Sequence, residues 1–305
     1  MKKGIILDML VEADKYGPGL RLALLLKGCP LRCVWCNHAE ARSMSQQLSF
    51  NKDNCQNCFS CLTACKNGAH QVTDDQHCIN HDKCQVDGYC VQTCPFDALS
   101  LKGMAMTADE AMTIILENFY SEGFEHKNLT LSGGEPMQQF EFSKQILSLA
   151  REEGFNTCLD TSGYASKAHF EEILPSVDLF LFDYKETNPQ RHLEFTGVKQ
   201  HLILDNLQLL VKHNKSVVLR CPIIPGYNDH EEHFEGIARL SQQYELPVNI
   251  LPYERLDPGK IKSFGIDNPM VDVMAAEEAT LEQWSYILKK KGCLVLEENK
   301  LPFTK

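Results

Sequence analysis

The sequence predicts an α/β protein with a parallel sheet, interrupted near its start by a small cysteine-rich module. Three observations carry this. From residue 107 onward, short apolar runs alternate with amphipathic stretches of helical spacing. Eleven of the fourteen cysteines lie between Cys29 and Cys94. The segment from about 50 to 103 is rich in Cys, Asn and Asp and poor in long apolar runs, so it depends on metal rather than on a large core.

In order, RLALLLKG (21–28) is a buried strand closed by glycine, and the cysteine-rich segment follows it. TADEAMTIILENFYSEG (107–123) is a helix, NLTLSGGEP (128–136) a strand ending in a glycine turn, and residues 139–154 the next helix. NTCLDTSG (156–163) and DLFLFDYK (178–185) are strands, and LILDNLQLLVKHN (202–214) is an amphipathic helix. SVVLRCPIIPG (216–226) and PVNILPYE (247–254) are strands separated by a helix around 231–245. TLEQWSYILKKKG (280–292) closes the helices, with a last strand at CLVLE. Such alternation implies parallel strands in a doubly wound sheet or a barrel. Chemistry in either sits at the C-terminal strand ends. Glu135, Asp160, Asp183, Lys185, Arg220 and Glu254 all fall there, which points to a single site.

A chain of 305 residues can bury a full core. Its net charge of −11 argues against a phosphate-binding surface, so no nucleic-acid partner is expected. The N-terminal apolar run is short and broken by Asp8, Glu12 and Asp14, unlike a signal peptide. No segment approaches the roughly 20 apolar residues of a membrane span. The expectation is a cytoplasmic protein, and there such thiols serve metal rather than disulfides. Cys158, Cys221 and Cys293 stand apart and read as buried small hydrophobes.

GCPLRCVWC places Cys29, Cys33 and Cys36 in a C-x3-C-x2-C loop after the strand. Three thiolates hold three corners of a [4Fe–4S] cubane and leave one iron open for a ligand. Zinc is the competing use, with His38 as its fourth ligand. Farther on, Gly133 and Gly134 form either a plain turn or a close approach to a ligand. Asp183 and Lys185, two apart, share one strand face, and a surface ion pair is their plainer reading. Arg220, in an otherwise apolar strand, needs a carboxylate partner.

The C-x3-C-x2-C loop with aromatic Trp35 before its last cysteine resembles the signature of the radical S-adenosylmethionine (SAM) superfamily. YGPGLRLALLLKGCPLRCVWCNHAEAR, SGGEP, LDTSG, FDYK, LRCPIIPGYND and LPYE resemble, in this order and over nearly the whole chain, the glycyl-radical-enzyme activating enzymes. The resemblance implies a partial (β/α)6 TIM-like barrel at 1–48 and 104–305, with a ferredoxin-like insert at 49–103. It implies SAM bound to the open iron, reductive cleavage to a 5′-deoxyadenosyl radical, and hydrogen abstraction from a backbone glycine of a partner glycyl radical enzyme. SAM-contacting positions would be Trp35, Gly133, Gly134, Glu135, Asp160, Thr161 and Glu254, with a monovalent cation near Asp160 and Thr161. Asp183, Lys185 and Arg220 would line the cleft that receives SAM and the partner's glycine loop, with Arg220 meeting a carboxylate of SAM or of Asp183. Two positions depart from the family pattern. Tyr16 stands where Asp precedes Gly-Pro-Gly, and Glu254 stands where His follows Pro-Tyr.

In the insert, Cys55, Cys58, Cys61 and Cys65 form a C-x2-C-x2-C-x3-C run, and a second copy spans Cys84 to Cys94 with matching tails, NGAHQV and FDALSL. By ferredoxin exchange of the fourth cysteine, Cys55, Cys58, Cys61 and Cys94 hold one [4Fe–4S] cluster, and Cys84, Cys90 and Cys65 the other. Asp87 stands where the second run expects a cysteine. Asp87 ligation, Cys78 swinging in, or a three-iron cluster are the alternatives. The insert would relay electrons from reduced flavodoxin or ferredoxin in an anaerobic, monomeric activase, or serve as structure alone. The rival functions are a radical SAM enzyme acting on a small molecule or peptide, and an electron carrier with three clusters. The GGEP and LDTSG motifs disfavour the carrier, which needs no SAM cradle.

Overall fold

The computed structural model describes residues 2–13, 17, 19–255, 264, 270 and 272–296. The chain opens with β1 (Gly4–Ala13) and β2 (Leu20–Leu26). The cysteine-rich segment then carries β3 (Gln47–Phe50), α1 (Ser60–Ala64), β4 (His70–Thr73), β5 (Gln76–Ile79), α2 (Tyr89–Thr93) and β6 (Leu99–Lys102). After β7 (Met104–Met106) the order is α3 (Ala108–Glu122), β8 (Asn128–Gly133), α4 (Phe140–Glu152), β9 (Asn156–Thr161), α5 (Lys167–Ile173) and β10 (Leu179–Asp183). Then come α6 (Pro189–Thr196), α7 (His201–Lys212), β11 (Ser216–Ile223), α8 (Glu231–Tyr244), β12 (Val248–Pro252), α9 (Glu278–Lys290) and β13 (Val295–Leu296).

Nine strands form one sheet, in the order β13-β12-β11-β10-β9-β8-β2-β1-β7. From β2 to β13 every neighbouring pair is parallel and follows chain order. A doubly wound sheet reverses its order partway; this one winds in a single sense, as a barrel wall does. Among the described residues no pairing joins β7 to β13, so the wall is open. β1 pairs antiparallel with β2 and with β7. It precedes the strand that the sequence reading places first. Asp8 and Glu12 interrupt its apolar run, and its register shifts between Ile6 and Asp8.

The helices start where local chemistry directs. The Thr107 hydroxyl accepts from the Glu110 amide (3.2 Å) and Glu110 Oε2 accepts from the Thr107 amide (2.7 Å), a capping box that fixes the start of α3. Asn188 caps α6, with Pro189 at its first position. One strand face packs on the helices through Leu129, Leu131, Leu159, Phe180, Phe182 and Leu219. By strand alternation the other face carries Cys158, Leu181 and Val218 in its middle layer. At the N-terminal end of that face the buried Arg21 donates to Thr130 Oγ1 (2.8 Å), Leu129 O (3.1 Å), Asn156 Oδ1 (3.0 Å) and Asn156 O (2.9 Å). That end is sealed by a satisfied guanidinium, and the opposite, C-terminal end holds the cavity described below.

The cysteine-rich segment is a structural duplication. An offset of 29 residues carries β3 onto β5, α1 onto α2 and β4 onto β6. The same offset carries Cys55, Cys61 and Cys65 onto Cys84, Cys90 and Cys94, and Cys58 onto Asp87. The pairing is exchanged: β3 runs antiparallel to β6, and β4 to β5. Gln47 therefore lies opposite Lys102, so the segment enters and leaves side by side. Its small core is Leu48, Cys61, Cys90 and Leu99.

Candidate active site

Beyond β2 the chain turns at Gly28 (φ +90°) into the cysteine loop. The loop's backbone is held from several sides. Gly28 N donates to Ala41 O (2.6 Å), Cys29 N to Arg42 O (3.1 Å), Arg32 N to Thr196 O (2.7 Å) and Val34 N to Phe195 O (3.0 Å). Arg42 Nη2 donates to Cys33 O at 2.5 Å and Arg32 Nη1 to Cys29 O at 2.8 Å. With the backbone satisfied, Cys29, Cys33 and Cys36 all line one cavity of about 440 Å³. Burial, reinforced by Glu135, pushes the Cys29 thiol up to about 12, and burial pushes Cys33 up to about 11. Such thiols ionise at neutral pH only with a cation to hold the charge. Three thiols on one wall fit a cubane with one open iron. His38 also lines the cavity, with Nδ1 3.6 Å from Glu40 Oε1.

The strand ends converge on the same cavity: Gly133, Gly134, Asp160, Thr161, Asp183, Lys185, Arg220, Glu254 and Trp35 line it. Lys185 Nζ lies 2.6 Å from Asp183 Oδ2, with only 14% and 19% of the two side chains exposed, so this is no surface pair. Burial works against the charge on Lys185, yet Asp183 and the nearby Cys33 and Cys29 hold it above the usual lysine range. Within the chain Arg220 meets Asp160: its Nη1 lies 3.0 Å from Asp160 Oδ2. Asp183 is engaged by Lys185, whereas Asp160 stands on the same interior face two strands away. Ser132 donates to the same Asp160 oxygen at 2.6 Å. Burial raises the Asp160 carboxyl against the pull of Arg220.

Glu135 differs from expectation. It is fully buried and stands behind the cavity wall, where it accepts from Thr161 Oγ1 (2.8 Å), Ser162 N (2.7 Å), Ser162 Oγ (2.5 Å) and Met137 N (3.1 Å). Four donors consume the carboxylate, so it braces Thr161 and Ser162 rather than reaching a ligand. The two glycines also have a packing reason. A Cβ on Gly133 would sit 2.6 Å from Leu26 N and O, and one on Gly134 would sit 2.3 Å from Gly28 O. Their bareness lets the end of β8 press against the base of the cysteine loop, where Glu135 N donates to Gly28 O at 2.7 Å.

Two buried polar atoms on residues of the cavity wall, Asn37 Oδ1 and the Tyr253 hydroxyl, have no hydrogen-bond partner among the described residues. Buried polar groups are nearly always satisfied, so these two atoms stand out on the cavity wall. A polar molecule the size of SAM fits this volume and these orphans. Sequence reasoning missed Asn37, Tyr253, Ser132, Ser162 and Asn249. Asn37, Tyr253, Ser132 and Ser162 carried a signal as neighbours of Cys36, Glu254, Gly133 and Thr161, whereas Asn249 carried none. Tyr16 lies outside the described residues.

Behind Lys185 the loop is fixed by Asn228, whose Nδ2 donates to Lys185 O at 2.8 Å. The buried Glu186 meets Arg191 Nε and His230 Nε2, each at 3.3 Å. His233, 0% exposed, has Nδ1 3.0 Å from Thr187 Oγ1, while its Nε2 has no partner among the described residues. Burial pushes it down to about 3.

In the duplicated segment, Cys55, Cys58, Cys61 and Cys94 line one small cavity together with His77 and Phe50. Its all-sulfur donor set, drawn from both runs, fits a cubane. In the other half Cys90 lies within electrostatic reach of Cys84, Asp87 and Cys65. Asn67 Nδ2 donates to Asp87 Oδ2 at 3.4 Å. Cys78 lies on the opposite hairpin face from His70 and His77, against Gln71 O (3.6 Å) and Thr73 Oγ1 (3.5 Å).

A family model described as the radical SAM superfamily matches residues 76–239. The chain is similar to the isethionate sulfite-lyase activating enzyme of Oleidesulfovibrio alaskensis, 34% identical over 282 residues, covering 90% of this chain and 91% of the relative. It is similar to the 4-hydroxyphenylacetate decarboxylase activating enzyme of Clostridioides difficile, 32% identical over 302 residues, covering 95% and 94%. A solved radical SAM methyltransferase from Sphaerobacter thermophilus shares the fold alone, with a TM-score of 0.51 and 16% identity over 63% of this chain and 57% of that one.

Proposed function

Because this chain belongs to the radical SAM superfamily and, within it, to the glycyl-radical-enzyme activating enzymes, we propose that its strand-end cavity is where a partner's glycine loop meets SAM. The observation that carries the reading is the joint presence of the three loop thiols, the Asp160–Arg220 pair and the Asp183–Lys185 pair on one cavity wall. When bound, the [4Fe–4S] cluster and SAM supply a one-electron cleavage of a carbon–sulfur bond, and the carbon radical so released takes a hydrogen atom from the partner's glycine.

The chain's own residues then have separate tasks. Cys29, Cys33 and Cys36 hold three irons. Asp160 and Arg220 present opposite charges to the amino and carboxylate ends of SAM, and the same reading sets a monovalent cation by Asp160 and Thr161. Asn37 and Tyr253, whose side-chain oxygens have no partner among the described residues, line the space the ligand takes. Trp35 packs edge-on against Phe195 (5.6 Å) and keeps water from the loop. Lys185 and Asp183, neutralising each other, leave a polar but uncharged floor for a backbone glycine. Glu254, exposed at the rim, meets the incoming loop.

The division into 1–48, 49–103 and 104–305 follows from reading 49–103 as a ferredoxin-like insert with two further clusters. Support comes from the 29-residue duplication and from the four cysteines around one small cavity. Asp87, held by Asn67 near Cys90, completes the second set better than Cys78, which faces away. The insert would pass electrons from reduced flavodoxin or ferredoxin in the cytoplasm, with the activase working as a monomer. Relatives named for an isethionate sulfite-lyase and for a 4-hydroxyphenylacetate decarboxylase stand at nearly equal identity, so similarity does not select the partner.

The test is Cys36→Ala. Under anaerobic reduction the native chain yields 5′-deoxyadenosine from SAM and, with its partner, a glycyl radical doublet in the electron paramagnetic resonance (EPR) spectrum. The variant should give neither, and retained SAM cleavage would overturn the assignment.

A further inference from the structure

The two halves of the duplicated segment differ at two equivalent buried positions. The 29-residue offset places His70 on Leu99, and Leu48 on His77. All four are buried. Each half thus carries one leucine and one imidazole at exchanged places, so the β3–β6 pair holds both leucines and the β4–β5 pair both imidazoles, and the imidazoles are in contact. His70 Nδ1 lies 2.7 Å from His77 Nε2.

His77 stands on the wall of the small cavity with Cys55, Cys58, Cys61 and Cys94. Its Nε2 is 3.5 Å from Cys61 Sγ and its Nδ1 is 3.9 Å from Cys55 Sγ. The ring packs edge-on against Phe50 at 4.5 Å, and its backbone amide donates to Asn57 Oδ1 at 3.0 Å. The proton has two places to be. If His70 donates to His77 Nε2, the proton of His77 is on Nδ1 and faces Cys55. If His77 Nε2–H donates to His70, the same hydrogen is shared with Cys61. Either way an N–H of His77 meets a sulfur of the same four-cysteine set.

We propose that His77 is a positioning residue that donates its ring N–H to a ligand sulfur and raises the reduction potential of the cluster held by Cys55, Cys58, Cys61 and Cys94 above that of the other half. The proposal rests on the two-cluster reading of the insert given above. A donor aimed at sulfur stabilises the more negative, reduced cluster. Leu48, at the matching place in the other half, has nothing to donate. His70 orients the ring, as partners of metal-site histidines do. The effect is a built-in difference between the two clusters, beyond the replacement of one cysteine by Asp87.

The test uses the full chain, reconstituted anaerobically with iron and sulfide, with iron counted and midpoints read by EPR-monitored redox titration. His77→Leu installs the side chain that the other half already carries. It should keep its iron and move one insert midpoint to more negative potential by on the order of a tenfold change in the reduction equilibrium, about 59 mV for one electron. The midpoint of the cluster at Cys29, Cys33 and Cys36 should stay put. His77→Gln, which keeps an N–H, should lie closer to the native value. His70→Leu, which removes the hydrogen-bond partner of the His77 ring, should give a smaller shift of the same sign. Unmoved midpoints at full iron content overturn the proposal. So does loss of one cluster's iron in His77→Leu, which would make His77 a ligand. A native chain that binds iron only at the Cys29 loop overturns the two-cluster reading itself, an outcome that iron counting separates from the other two.

Discussion

The guanidinium of Arg220 reaches Asp160 at 3.0 Å across the intervening strand β10, tying β9 to β11 on the inner face of the wall. Neither strand pairs with the other, so this ion pair spans a gap that no backbone hydrogen bond covers. With 9% and 15% of the side chains exposed, the pair is mostly desolvated.

Arg220→Met should therefore cost about 3 kcal/mol, because it strands a buried carboxylate. Adding Asp160→Asn should recover part of that loss, since the double variant leaves no charge unpaired. Urea unfolding of the anaerobic protein reads both, and simple additivity would show that the two side chains are not coupled.

Gly134→Ala should empty the catalytic loop of iron while the insert keeps its own. The new Cβ would lie 2.3 Å from Gly28 O and 2.9 Å from Ala41 O, both rigid backbone. Gly154→Ala is the control. It has positive φ but open space, so it should cost only about 1 kcal/mol and no iron.

Tyr253→Phe should weaken SAM binding by roughly fivefold to tenfold, the worth of one hydrogen bond, without lowering stability. Its hydroxyl has no hydrogen-bond partner among the described residues, so removing it should cost the fold little. Calorimetric titration with SAM, alongside a thermal melt, distinguishes this from a packing role, which would lower both.

His233 makes stability pH-dependent. Burial holds its folded pKa down to about 3, below the ordinary 6.5. Its contribution is thus fully present above pH 6.5 and is lost as pH falls from there toward 3, because the unfolded chain takes up the proton first. The slope is up to about 1.4 kcal/mol per pH unit. His233→Gln should flatten the urea midpoint between pH 6.5 and 5 by about one proton's worth, and an unchanged slope would remove His233 from the account.

The convergence of the site could be read from the sequence because every parallel strand delivers its last polar residue to the same end. Asp160, Asp183, Lys185 and Arg220 needed only strand boundaries to be placed together. Which of them pair could not be read. Asp183 is Arg220's register neighbour, yet the bond goes to Asp160, because pleat and barrel curvature bring alternate strands together. Glu135 looked like a ligand for the same reason of position. Its four donors, from Thr161, Ser162 and Met137, come from a neighbouring strand end and a turn, and linear spacing does not reveal that enclosure. β1 escaped notice because acidic residues interrupt its apolar pattern, and α6 because it is only eight residues long, although Asn188-Pro189 announced its start.

The pairing of Gln47 with Lys102 has a consequence for how such a protein could come to exist. The first and last residues of the duplicated segment sit one ladder rung apart, roughly 5 Å. To the barrel, the whole segment is equivalent to the tip of a hairpin. A gene could gain or shed this cysteine-rich cassette in a single event and leave the wall on either side unaltered. A chain with residues 47–102 replaced by a tight turn should keep the barrel's own iron, and the cassette should graft onto any host strand pair that offers the same doorway.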